Sequence, residues 1–217
     1  MNKEFGLVSE NNGSTVVAQY DGLKRRDTSY QSEAQLEQEF IDTLKEEGYE
    51  YLVFNSEDEL KQNLRHKLED LNHYAFDNDE WENFFIKEIA NNNQGIKEKT
   101  FTIQKDEIKV IKHNDGTTTN IRLIDKENIH NNKLQVINQY VNNGARDNRY
   151  DVTILVNGLP LAHVELKRRG KTLREAFNQI DRYQRESFWA NSGLYEYVQV
   201  FVISNGTYTK YYSNTTR

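Results

Sequence analysis

The sequence predicts an α/β fold: a central mixed β-sheet flanked by helices, plus a helical insertion. Three stretches carry that prediction. Residues 32–48 read as a capped amphipathic helix, residues 150–166 as a β-hairpin, and residues 172–186 as a second capped helix. Strand-like segments lie before and after them, and this interleaving of strands and helices is an α/β order. The 217 residues suit one domain, or a core with an appended lobe, and are ample for a real hydrophobic core.

In chain order, residues 1–30 show weak periodicity and read as an N-terminal extension or partner-facing arm, with the domain proper over 31–217. Ser32 is a candidate N-cap with Gln35 at N3. Leu36, Phe40, Ile41 and Leu44 line one face of that helix, and Gly48 ends it. Residues 49–54 read as a strand. Residues 57–74 form a helix with Leu60, Leu64, Leu68 and Leu71 as its buried stripe, and 79–91 a third with Trp81, Phe84, Phe85 and Ile89. Together 57–91 look like a helical insertion or lobe. Residues 100–112 and 118–124 alternate like strands about Asn114-Asp115-Gly116. Residues 133–141 lean to a strand, 142–148 to a loop, and 197–204 with 207–212 to a last hairpin about Asn205-Gly206.

Composition narrows the class. Hydrophobic content of 36% and charged content of 29% describe a polar globular chain. Zero cysteines exclude disulfides and thiolate metal sites, which fits a cytoplasmic location. No apolar run is long enough to span a membrane, and 1–20 does not read as a signal peptide. The net charge of −6 argues against a protein that coats DNA nonspecifically. Locally the balance reverses: residues 167–185 hold seven Lys/Arg against Glu175 and Asp181.

The chemistry concentrates in the 150–166 hairpin. Alternation puts Val152, Ile154, Val156, Ala162, Val164 and Leu166 on one apolar face. Asp151, Thr153, His163, Glu165 and Lys167 fall on the other. A three-residue loop over 157–159 pairs Val156 with Pro160 and Asp151 with Glu165, and a slip of one residue would turn the apolar face to water. Burial thus converges Asp151, Glu165 and Lys167 on one surface. Two carboxylates suit Mg²⁺, with the Leu166 carbonyl as a further ligand. Lys167 is placed to orient a water and offset charge building on a phosphate. On the next helix, Gln179 and Tyr183 are four apart on one face with Arg182 beside them, a set of donors suited to DNA phosphates. Leu173, Phe177 and Ile180 form the stripe expected to pack on the sheet. Gly170-Lys171-Thr172 is not a P-loop, because the first glycine it needs is Glu165. His163 shares the site face, but a lone histidine there is more often a structural neighbour than a ligand. The other histidines show no ligand spacing.

The pattern Asp-x13-Glu-x-Lys followed by Gln-x-x-x-Tyr is similar to the PD-(D/E)XK (restriction-endonuclease-like) nuclease superfamily in its RecB-like form. Four segments, 29–33, 148–161, 174–180 and 201–207, resemble the N-terminal region of the restriction (R, or motor) subunit of type I restriction-modification enzymes, with the class C branch nearest. The likeness extends over nearly the whole chain. It implies a Mg²⁺-dependent, RecB-like endonuclease domain over 31–217 acting on double-stranded DNA. Asp151 and Glu165 would bind the metal, Lys167 would be the catalytic lysine, and Gln179 and Tyr183 the auxiliary motif. A carboxylate on the first core helix, Glu33 or Glu37, would complete the site, with Glu33 preferred. The resemblance also implies modification and specificity subunits as partners, and ATP-driven motor domains C-terminal to this segment, which itself has no Walker A motif. Two other readings compete: a non-catalytic nuclease-like module that docks DNA or the rest of a complex, and a stand-alone RecB-like repair nuclease. Metal binding lost in Asp151→Ala separates the first, and cleavage by the isolated chain without ATP the second.

Overall fold

The structure, a computed structural model, describes residues 5–11, 15–20, 31–113, 115–143, 147–186 and 193–214, with side chains for 31–113, 115–141, 149–184 and 193–214. The chain opens with strands β1 (Phe5–Asn11) and β2 (Thr15–Tyr20). Helix α1 (Glu33–Glu46), strand β3 (Glu50–Leu52) and helix α2 (Glu57–Asn72) follow. Helix α3 (Asn78–Phe84) runs on into a π-helical turn over Phe85–Ile89. Then come α4 (Ile96–Lys105), β4 (Ile108–Lys112) and β5 (Thr118–Arg122). Strands β6 (Leu134–Asn143), β7 (Asp147–Val156) and β8 (Leu159–Leu166) precede helix α5 (Leu173–Glu186). A 3₁₀ turn over Leu194–Tyr197 leads into β9 (Val200–Ser204) and β10 (Thr209–Ser213).

Eight strands make one mixed sheet in the order β1-β2-β10-β9-β8-β7-β6-β3, while β4 and β5 pair separately. The β8–β9 and β3–β6 pairs are parallel and the others antiparallel. Alternation along the strands separates two cores. On one face Val136, Val152, Val164 and Leu166 pack against Ile41 and Leu44 of α1. On the other, Ile137, Leu155, Phe201 and Ile203 meet Ala176, Ile180 and Tyr183 of α5, and that cluster continues without a break into Leu60, Leu64 and Leu68 of α2 and Trp81 and Phe84 of α3. The helices of 57–91 are thus fused to the sheet's own core. No helix among the described residues is long and apolar enough to cross a membrane.

Local chemistry explains the boundaries. Ser32 caps α1, and Gln35 completes the reciprocal capping box. The β7–β8 turn is Asn157-Gly158, both at positive φ (50° and 85°), the conformation of a two-residue hairpin turn. Asn157 is fully buried; its side chain accepts from Lys133 N–H and donates to the Leu123 carbonyl. A Cβ on Gly158 would lie 2.6 Å from Leu64 Cα, so the turn seats directly on α2.

Several expectations change. The strand expected over 100–112 is instead α4 followed by the short β4. Thr100 to Ile103 alternates over too few residues to specify a strand, and in the helix Lys99, Thr102 and Ile103 share one buried face. Glu98 accepts the Gly95 N–H and fixes that helix start. Within residues 1–30, expected as an extension, β1 and β2 pair, and β2 joins the main sheet through Tyr20↔Thr209 and Gln19↔Lys210. The loop expected over 142–148 is shorter, with strands reaching Asn143 and Asp147; its centre, 144–146, lies outside the described residues, as does Asn114 of the 114–116 turn. Residues 197–199 precede β9 instead of belonging to it. On α5 the stripe against the sheet is Ala176, Ile180 and Tyr183, whereas Phe177 is 44% exposed.

Candidate active site

The hairpin reaches the expected register at its open end by a different route. The tight turn pairs Val156 with Leu159 and Leu155 with Pro160, one residue out of step with a three-residue loop. An irregularity beyond Leu155 absorbs the difference, so Ile154 faces Ala162 and Val152 faces Val164. The apolar face therefore stays on α1, and Asp151 comes opposite the Glu165 end of β8.

There the side chains converge. Asp151 Oδ2 accepts the Leu166 N–H at 2.8 Å. Lys167 Nζ lies 2.9 Å from Glu165 Oε1 and 3.0 Å from the Leu166 carbonyl oxygen. Glu165 is fully buried, and its Oε2 receives no hydrogen bond among the described residues; His163 Nε2 lies 3.5 Å from it. Lys167 is 8% exposed. The chemical face expected to form a surface is thus half roofed by α5, which leaves Asp151 at the rim and Glu165 and His163 beneath.

Electrostatics follow from that burial. Desolvation, then the nearby Glu165 carboxylate, pushes the Asp151 carboxyl from its ordinary 3.8 up to about 7, against the Leu166 N–H and Lys167, which pull it down. For Lys167, burial disfavours the ammonium, but the Glu165 and Asp151 carboxylates outweigh it and hold the group above its ordinary value. A buried pair of acids with one unbonded oxygen is short of positive charge. Hard oxygens at that spacing fit a divalent cation such as Mg²⁺, which takes one or two carboxylates. No cluster of three or more His, Cys, Asp or Glu suited to a metal occurs among the described residues, so such an ion would depend on Asp151, Glu165 and backbone or solvent oxygens.

The remaining predicted residues divide. Glu33 reaches the site's edge, where Oε1 accepts the Arg168 N–H at 3.1 Å. Its neighbour one turn on, Glu37, is buried at 8% exposure and accepts from the Asn138 amide at 2.5 Å and from the Gln139 amide. Gln139 sits at positive φ (54°) where the β6–β7 pairing skips the position across from Asp151. Glu37 adds a further negative charge that raises Asp151. Its signal was legible: Glu37, Ile41 and Leu44 are spaced i, i+4, i+7, which places a carboxylate on the buried stripe of α1. Gln179 donates to the Tyr183 hydroxyl, which donates to the Arg149 carbonyl at 2.8 Å. Tyr183 is 1% exposed, and its ring stands edge-on to Tyr150 at 4.9 Å. Burial and the Glu165 charge push its hydroxyl up to about 12. The pair therefore braces β7. Arg182 is exposed, with its guanidinium 5.3 Å from the Tyr183 ring.

A mixed sheet flanked by helices, carrying an Asp–Glu–Lys cluster at the end of a hairpin with its Glu and Lys buried, defines a restriction-endonuclease-like domain. Residues 30–217 match the family described as type I restriction enzyme R protein N terminus, and the chain belongs to that family. It is 44% identical over 211 residues to the type I restriction enzyme EcoprrI endonuclease subunit of Escherichia coli, an alignment covering 97% of this chain and 67% of that protein. It is 37% identical to type I restriction enzyme endonuclease subunits of Staphylococcus saprophyticus and Staphylococcus aureus, over 85% and 86% of this chain. The chain spans only 20% of the length of each of those two relatives.

Proposed function

We propose that this chain is the DNA-cleaving domain of a type I restriction enzyme R subunit, a Mg²⁺-dependent endonuclease that hydrolyses phosphodiester bonds. One observation carries the reading: Asp151, Glu165 and Lys167 converge at the end of β7 and β8 with a buried, unbonded Glu165 oxygen. Family membership supports the same conclusion, since the relatives are named endonuclease subunits.

Asp151 and Glu165 would hold the cation, and Leu166 would offer its carbonyl. When bound, Mg²⁺ would polarise the phosphodiester and make a coordinated water more acidic. Lys167, charged and fixed between Glu165 and the Leu166 carbonyl, stabilises the negative charge that grows on the phosphate. Attack of a water oxygen on phosphorus makes one P–O bond as another breaks, and the departing oxygen takes up a proton. No covalent bond to the protein is needed. Gln179 and Tyr183 hold β7 at Arg149 so that Asp151 keeps its place. The substrate is double-stranded DNA, presented within a cytoplasmic complex with modification and specificity subunits. ATP-driven movement belongs to motor domains that this chain does not span.

Calorimetric titration of the chain with Mg²⁺ and Mn²⁺ tests the metal assignment. Binding should be measurable in the wild type and weakened at least tenfold in Glu165→Gln. Equal binding in the two proteins would remove Glu165 from the site.

A further inference from the structure

Tyr183 is buried against β7 and Gln179 is bonded to it, which leaves room for further DNA contacts on the surface beside them. An open groove of about 680 Å³ begins at Arg169, two residues past Lys167 in the chain. One wall is the 169–174 segment that follows Lys167, and the other is the β9–β10 turn and the start of β10. The two walls are joined. Lys167 N–H donates to the Ser204 carbonyl at 2.8 Å, and the next residue, Asn205, donates its side-chain amide to the Lys171 carbonyl at 2.8 Å. The groove mouth is thus rigidly tied to the lysine of the site. A second stretch of about 420 Å³, which shares Leu173, Arg174 and Lys210 with the first, extends it along α5 past Phe177 and Asn178.

The lining is charged with one sign. Arg169, Lys171, Arg174 and Lys210 contribute cations, and no acidic residue lines either stretch. Lys171 meets Glu175 at 3.6 Å, but Arg174 and Lys210 have no acidic partner among the described residues. Both border both stretches, which marks the middle of the groove. Two aromatic rings stand along it: Phe177 is 44% exposed and Tyr208 51%. In a chain of net charge −6, Arg174 and Lys210, which lack an acidic partner among the described residues, interleaved with exposed rings are a local exception. Cations at the spacing of a backbone and rings that can stack on bases are the means by which proteins hold a single nucleic-acid strand.

We propose that this groove is a track for one strand of the double-stranded substrate, separated from its complement near the cleavage point, leading to the scissile phosphate. Arg174 and Lys210 hold its phosphates, and Tyr208 and Phe177 stack its bases. The inference rests on the nuclease reading for its direction but makes a separate claim about which residues bind DNA. Lys210 could not be assigned to the site from sequence, since the β9–β10 turn brings it there from 43 positions beyond Lys167.

Fluorescence anisotropy on the full 217-residue chain tests it, with a labelled single-stranded oligonucleotide and its duplex in EDTA. Thermal melts confirm that each variant folds. Arg174→Ala combined with Lys210→Ala should weaken single-strand binding at least tenfold and reduce the slope of log affinity against log salt by about 1.4, from about 0.7 per phosphate contact. Tyr208→Ala should weaken single-strand binding about 5- to 160-fold, from about 1–3 kcal/mol for stacking one base on an aromatic residue, and leave duplex binding nearly unchanged. Unchanged single-strand affinity in both variants overturns the track, as does an equal loss for duplex and single strand in Tyr208→Ala. Cleavage is read separately, with Mg²⁺ in place of EDTA and the complete R subunit in its complex: loss of cleavage in Asp151→Asn with no groove effect on binding would sink the track alone, and groove effects on binding with Asp151→Asn still cleaving would sink the nuclease assignment alone.

Discussion

Replacing Asp151 with Asn should stabilise the metal-free protein at alkaline pH while removing the carboxylate the proposed metal needs. The folded state holds this carboxyl at about 7 against an ordinary 3.8. A group raised in the folded state contributes stability that is present below the unfolded value and lost as pH climbs through the folded one. The difference corresponds to about 4 kcal/mol of strain at pH 8. Asn keeps an oxygen to accept the Leu166 N–H but carries no charge. That difference already includes the Leu166 bond, so Asn, which stands in for the protonated acid, should gain about 4 kcal/mol at pH 8. Urea unfolding in EDTA at pH 8 should show that gain, and at pH 3.5 the gain should vanish. Added Mg²⁺ should then stabilise the wild type and leave the variant unmoved. An Asn variant that is no more stable at pH 8, or whose advantage is the same at both pH values, would refute the picture of two acids confined around a single lysine.

Other substitutions probe the scaffold. Tyr183→Phe removes the hydroxyl bond to Arg149 but keeps the ring contacts, so denaturant melts should show a loss of about 1 kcal/mol, against about 3–5 kcal/mol for Tyr183→Ala. The buried Lys99–Glu196 pair ties α4 to the 3₁₀ turn, and Lys99→Met, which strands the Glu196 carboxylate, should cost about 3–5 kcal/mol in the same assay; a cost below about 1 kcal/mol would mean the pair is solvated. Gly158→Ala forces a Cβ into Leu64 at a φ of 85°, and its melting temperature should fall by several degrees, as expected for a loss of about 2 kcal/mol or more in a domain of this size.

What the sequence revealed depended on how local the controlling physics is. The α1 start needs only Ser32 and Gln35, three residues apart, and the structure forms that capping box. The faces of the hairpin follow from parity, and Val152, Val164 and Leu166 do pack on α1. The turn holds two residues instead of three, yet Val152↔Val164 and Ile154↔Ala162 keep the expected register, because burial of that apolar face fixes it whatever the turn. Helix α4 was hidden because the partners that order it are distant in sequence: Lys99 reaches Glu196 and the Gly193 carbonyl. The α5 stripe was misread for a related reason. Phe177 is the more hydrophobic choice, but Tyr183 is drawn under the sheet by a bond to Arg149, and small Ala176 lets the helix approach. The strands within 1–30 gain their ladder from β10, nearly 190 positions away, which no local pattern can announce.

The most direct test of the central assignment uses the complete R subunit, assembled with its modification and specificity subunits, in wild-type form and as Lys167→Ala. Cleavage of supercoiled plasmid and hydrolysis of ATP are followed in the same tubes. Loss of cleavage with ATP hydrolysis intact is the predicted result, and it would place Lys167 in the chemistry of strand scission. Cleavage that persists alongside ATP hydrolysis would contradict the assignment and leave the Asp151–Glu165–Lys167 cluster as a structural ion network.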